Sequence, residues 1–169
     1  MKIEVALDQG RLPAKYGKFG AASDFKNQHP LRSFPIKISN LPEQAVSLAL
    51  TFVDPDSIPV AGFQWIHWTA ANLPINIQEL PENASQQPPF SFIQGKNSTA
   101  SPYINEADAS INQRYVGPTP PSGIHNYELR LYALDKKLDL KAGFWMNELQ
   151  HAMEGHILEH QKLILPYRG

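Results

Sequence analysis

In the stretch VDPDSIPVAGFQWIHW, two aspartates, Asp54 and Asp56, flank a proline, and a histidine, His67, follows among apolar residues. Carboxylates and an imidazole so spaced can form a general acid/base pair, share a metal ion, or set the charge of a binding pocket. The two prolines of DPDSIP fix φ and remove backbone donors, so both aspartates project from a stiff turn. Aspartates in such turns also serve simply as caps. Strand alternation places His67 on one face with Trp65 and Thr69, and Ile66 with Trp68 on the other. The first face suits the wall of a half-polar cavity and the second a core. The plain alternative is a partly buried, satisfied histidine with no role.

A second constellation is YVGPTPPSGIHNY, Tyr115 to Tyr127. Pro118, Pro120 and Pro121 stiffen this loop, while Gly117 and Gly123 allow tight turning and close backbone approach. His125 and Tyr127 stand two apart, hence on one face of the strand that starts there. A rigid Pro/Gly loop beside a His-x-Tyr pair has the makings of a preformed small-molecule site.

Three other motifs carry less. HILEH, His156 to His160, matches a zinc pattern in which two histidines one helical turn apart share a metal, but no third ligand accompanies it. It reads instead as a helix end with Ile157 and Leu158 packed inward. QGKNS lacks the first glycine of a phosphate loop, since Phe90 stands in its place. No G-x-S-x-G elbow is present. No metal, cofactor or catalytic residue is therefore assigned.

The elements that must position these groups are mostly strands. VSLALTFV alternates strictly, with Val46, Leu48, Leu50 and Phe52 on one face. IEVAL, FPIKIS, FQWIHWTAANL and YELRLYALD read as further strands. Residues 79–113 are polar and rich in Asn, Ser and Pro, the composition of a long surface excursion. Met146, Leu149, Met153 and Ile157 recur at helical spacing, which predicts a helix from Met146 to Leu158, with Gly155 as a point where it can end early. The fold class is mostly β: an antiparallel β-sandwich with a C-terminal helix, one domain over residues 1–169.

Composition excludes several functions. Fifteen basic residues against sixteen acidic ones give a net charge of −1, without the basic excess of a nucleic-acid binder. Fifteen prolines favour loops and short strands over long helices. The absence of cysteine rules out disulfides and thiolate chemistry. Glu4 and Asp8 interrupt the N-terminal apolar stretch, so a signal-peptide core is not expected, and no apolar run approaches membrane-spanning length. A cytoplasmic location is the expectation.

With these residues assembled, the chain resembles the phosphatidylethanolamine-binding protein family, and within it the bacterial Raf kinase inhibitor-like (YbhB/YbcL-type) branch. The resemblance rests on SLALTFVDPDSIPVAGFQWIHW, on YVGPTPPSGIHNYELRLYALD and on AMEGHIL. It implies a β-sandwich with a small anion pocket for phosphate or a phosphoryl headgroup. Matched motif by motif, the pocket aspartate falls on Asp54 with Asp56 in the same turn. The histidine falls on His67 beside Trp65, the loop residues on Gly117 and Pro121, and the final pair on His125 and Tyr127. The usual DPDAP is lengthened here to DPDSIP, which alters the rim.

The expected function is a small-anion binding protein, with regulation of a kinase or protease implied by the resemblance alone. A small hydrolase using an Asp/His general base in the same pocket is the alternative, and a surface interaction module a third. A homodimer is compatible with each. An aspartate beside a histidine favours imidazolium, so the pocket histidines are expected to carry raised pKa values and to donate to phosphate oxygens.

Overall fold

The computed structural model describes residues 1–169. Ten strands are present: β1 (Lys2–Glu4), β2 (Phe25–Lys26), β3 (His29–Pro30), β4 (Ile36–Ser39), β5 (Ser47–Asp54), β6 (Trp65–Leu73), β7 (Glu79–Leu80), β8 (Ile93–Gln94), β9 (Ile124–Leu134) and β10 (Ile157–Arg168). Helices are short: α1 (Ile58–Ala61), α2 (Ala109–Asn112) and α3 (Met146–Met153). The larger sheet runs β10-β9-β5-β6-β8 and a smaller one β1-β4-β7, with β2 and β3 as a separate pair; all strand pairings are antiparallel.

The alternation in β5 has a structural cause. Leu48, Leu50 and Phe52 point between the two sheets, where they meet Ile3, Ile36, Ile38 and Leu80 of the smaller one. The opposite face of β5 is buried as well. There Ala49, with Ala71 and Leu134, packs beneath Leu149 and Met153 of α3 and Phe144. Val46 lies just outside the strand and is exposed. The larger sheet is thus covered on both sides, by strands on one and by a helix on the other.

The helix expected to reach Leu158 stops at Met153. Gly155 takes φ +75°, a left-handed turn that costs glycine little, and the chain reverses there. Beyond the reversal the chain is a strand: Ile157 to Arg168 pairs along β9, with Leu165 and Tyr167 buried in the main core. HILEH therefore does not sit on a helix. His156 lies in the turn before β10 and His160 within the strand, so the one-turn helical spacing of the zinc pattern is absent. His156 Nδ1 instead meets Asp135 Oδ1 at 2.9 Å, and Ile157 and Leu158 are exposed rather than packed inward.

Residues 79–113 also depart from expectation. Residues 102–105 are exposed, but several polar side chains of the segment form an internal network. Gln94 Oε1 accepts the Trp68 indole N–H at 2.7 Å, and Gln94 Nε2 donates to the Ser85 carbonyl at 3.0 Å. Asn97 donates to the carbonyls of Ile111 and Arg114 and accepts from the Thr99 amide. Buried polar groups must be paired, and here a polar composition supplies the pairing.

Candidate functional site

Three strand ends meet at one end of the larger sheet. Asp54 closes β5 opposite Trp65, the first residue of β6, and Val53 pairs with Glu128 near the start of β9. The turn after β5 begins with Pro55 at the first position of a short helical turn, Pro55–Ser57, which runs into α1. The Ser57 hydroxyl lies 2.7 Å from the Asp54 carbonyl and 2.8 Å from that of Phe63, and it accepts the Trp65 N–H at 2.8 Å. One buried hydroxyl thus closes the whole DPDSIPVAGF loop onto the sheet.

A β-bulge sets the direction of His67. Phe52 pairs with Trp68 and Val53 with Ile66, so His67 is the extra residue between them. A bulge breaks alternation and re-aims a side chain. Both His67 and Trp68 therefore reach the same aromatic layer. The His67 ring lies 5.6 Å from Phe52, Trp68 lies 5.7 Å from Tyr115, and Phe52 stacks on Tyr115 at 5.9 Å. Trp65 does share the cavity with His67, as alternation predicts, but Trp68 is not on the opposite face.

The cavity measures about 210 Å³ and is lined by Asp54, Trp65, His67, Pro121, His125 and Tyr127 of the residues singled out from sequence. That volume suits a group of a few non-hydrogen atoms rather than a drug-sized ligand. Ser57, Val60 and Ala61, with Thr119 and Pro120 of the expected Pro/Gly loop, complete the lining. Ser57 and the Thr119-Pro120 pair sit inside the two quoted motifs, so the motif boundaries, read as rims, were signal enough for them. Val60 and Ala61 belong to α1, for which the proline-rich turn offers no helical periodicity.

Two expected residues lie outside the cavity. Asp56 turns away to accept from the Asn126 backbone N–H at 2.7 Å and its side-chain amide at 3.1 Å. It fixes the strand start that carries His125 and does not line the cavity. Gly117 is a packing glycine: its amide donates to the Pro30 carbonyl at 2.8 Å, and a Cβ there would collide with the Tyr16 carbonyl oxygen and crowd Gly17. Both obstacles are backbone and cannot swing aside. Gly117→Ala is therefore expected to lower stability by about 1–3 kcal/mol, as overpacking does. Urea unfolding checks this, and an unchanged midpoint would show that the loop has slack.

The electrostatics of the two histidines differ. His125 Nδ1 is 2.7 Å from Asp54 Oδ2, so the proton sits on Nδ1 and is donated to the carboxylate. His67 Nδ1 is 2.6 Å from the Val116 carbonyl; a carbonyl only accepts, so this nitrogen is also protonated, and in the neutral ring Nε2 carries the lone pair. The Val116 amide donates back to the His67 carbonyl at 3.0 Å, clamping loop to strand. Burial pulls the His67 pKa down from 6.5 to about 4, overriding the Val116 carbonyl and Asp54, which act upward; His125 acts downward with burial. The expected raised value is thus corrected for His67. Desolvation of the cation outweighs the carboxylate beside it. Burial, and after it Asp54, pushes the Tyr127 phenol well above its ordinary range, so it keeps its proton as a donor.

No group of three or more His, Asp or Glu side chains is arranged to hold a metal ion, and no helix is long and apolar enough to cross a membrane. The architecture defines a class, an antiparallel β-sandwich with a small polar cavity where the ends of three strands of its larger sheet converge. The chain belongs to the phosphatidylethanolamine-binding protein family, whose model matches residues 2–168. It is 48% identical over 151 residues to YxkA, an uncharacterized protein of Bacillus subtilis, covering 89% of this chain and 90% of that one. It is 36% identical to a UPF0098 protein of Methanothermobacter thermautotrophicus over 99% of this chain and 97% of the other. Among solved structures, the phosphatidylethanolamine-binding protein homolog CT736 of Chlamydia trachomatis superposes with a TM-score of 0.75 at 30% identity, over 94% of this chain and 90% of that one. Escherichia coli YbcL superposes at 0.78 with 21% identity, over 99% and 98%, a likeness of fold.

Proposed function

We propose that this protein binds a small anion, a phosphate or phosphoryl group, in the cavity between Asp54, His67, His125 and Tyr127. The observation that carries this reading is the convergence of those four side chains, from three strands, on a space of about 210 Å³. Tyr127 offers a phenol proton, and the Asp54–His125 pair offers the far edge of an imidazole oriented through its other nitrogen. Van der Waals walls come from Trp65 and the Pro120–Pro121 rim. A cytoplasmic location belongs to the same proposal.

Hydrolysis has weaker support. The Ser57 hydroxyl spends its proton on a backbone carbonyl and accepts from Trp65, so it is not a poised nucleophile. An imidazole with a pKa of about 4 is a weak general base at neutral pH. Regulation of a kinase or protease would work through the mouth, where Ile58, Val60, Phe63 and Ile124 are exposed.

Calorimetric titration with inorganic phosphate tests the reading. One site is expected, and Tyr127→Phe should weaken it by about tenfold, the worth of one hydrogen bond to a charged acceptor. Absence of binding at millimolar phosphate, with turnover of an aryl phosphate or ester instead, would favour the hydrolase.

A further inference from the structure

We propose that the cavity selects tetrahedral anions that bring their own proton, a phosphate P–OH, and rejects aprotic anions of the same size such as sulfate. The inference rests on the anion-site reading above and concerns which anions that site admits.

The hydrogen-bond inventory of the wall leads there. Asp54 is 4% exposed. One of its carboxylate oxygens, Oδ2, accepts from His125, while the other, Oδ1, is buried with no partner in the protein. A buried carboxylate oxygen left unpaired carries the full desolvation cost of that group. His67 adds a second acceptor, because its Nδ1–H is spent on the Val116 carbonyl and Nε2 is left with its lone pair. No Lys or Arg lines the cavity. Lys18 Nζ, which reaches the rim loop from elsewhere in the chain, donates to the Pro120 carbonyl at 2.7 Å. The wall thus presents Asp54 Oδ1 and the Nε2 of a neutral His67 as acceptors, the far edge of His125, the Tyr127 and Thr119 hydroxyls and the Trp65 indole as its other polar groups, and no Lys or Arg.

A bare sulfate dianion has only acceptor oxygens. Against this wall it sets acceptor to acceptor and anion to carboxylate, and Asp54 Oδ1 stays unpaired. Hydrogen phosphate is the same size and carries the same charge, but its P–OH can donate to Asp54 Oδ1 or His67 Nε2. Its remaining oxygens accept from Tyr127. No bond is made or broken; the proton stays on the ligand oxygen and is shared in a hydrogen bond. The same logic separates two sources of a phosphoryl group. Inorganic phosphate retains a P–OH at neutral pH, whereas the diester phosphorus of a phospholipid headgroup has none.

The experiment is calorimetry on the intact chain at neutral pH with three probes: inorganic phosphate, sulfate and dimethyl phosphate. A site built to pair with a ligand hydroxyl can reject the analogue lacking it by up to about 10⁵-fold, and a preference of roughly 100-fold or more for phosphate over each aprotic anion is expected on that basis. Sulfate or dimethyl phosphate within about tenfold of phosphate overturns the inference and leaves the anion site standing. Failure of all three to bind removes the site and the inference together. In Asp54→Asn an amide that can donate replaces the orphan oxygen, so the preference over sulfate should narrow by about tenfold or more. A folded Asp54→Asn protein with unchanged preference overturns the inference; should that variant not fold, the wild-type ratios decide alone.

Discussion

As the pH falls from about 6.5 to about 4, the protein is expected to lose about 3 kcal/mol of stability that a His67→Asn variant does not lose. The sign follows from the direction of the shift. The folded-state pKa of His67 is depressed, to about 4, so the unfolded chain takes up this proton first. The contribution is fully present above the unfolded value of 6.5, declines as the pH drops through the interval, and is gone below about 4. The magnitude is the separation of the two values converted at about 1.4 kcal/mol per unit. Asn retains a side-chain N–H for the Val116 carbonyl but has nothing to titrate. Urea unfolding of both proteins across the interval gives the comparison. Parallel stability profiles would show that His67 is not held neutral by burial.

Phe52→Ala is expected to cost about 3–5 kcal/mol and to weaken phosphate binding as well. Phe52 is fully buried and is the hub of the aromatic layer beneath the cavity. Its ring lies 5.1 Å from Phe34, 5.9 Å from Tyr115, 5.6 Å from His67 and 5.6 Å from Tyr127. Truncation removes buried area and frees His67 and Tyr127, the two rings of this layer that line the cavity. Leu134→Ala is the control. Leu134 is equally buried but packs under α3 on the far side of the sheet, so it should cost about 2–5 kcal/mol while phosphate affinity holds. Equal loss of affinity in both variants would mean that general destabilisation, not the aromatic floor, controls the site.

Much of the sandwich was legible in local pattern. The alternation of Leu48, Leu50 and Phe52 and that of Tyr127, Leu129 and Leu131 report directly on side-chain direction, because a strand's period of two is a property of its own backbone. The stiffness of DPDSIP and the His125-x-Tyr127 spacing are local in the same sense, and they pointed to Asp54, His125 and Tyr127, which line the cavity. Alternation also led to Trp65 and His67.

Other features were decided only by the tertiary structure. The bulge at His67 exists because β6 must stay in register with β5 on both sides of it, and register belongs to a pair of strands rather than to either alone. Asp54 and Asp56 are near neighbours in one turn, yet one meets His125 and the other Asn126, 70 residues or more away in sequence. Nothing in the turn itself distinguishes them. The last strand was hidden because Ile157 continues a helical spacing; pairing with β9 across a reversal at Gly155 outweighed that weak local signal. The polar stretch 79–113 read as surface because composition does not reveal which polar groups find partners inside. The charge state of His67 shows the same limit most sharply. Residue types indicated an aspartate beside an imidazole and hence a raised pKa, but desolvation depends on everything packed around the ring, and only the folded chain supplies that surrounding.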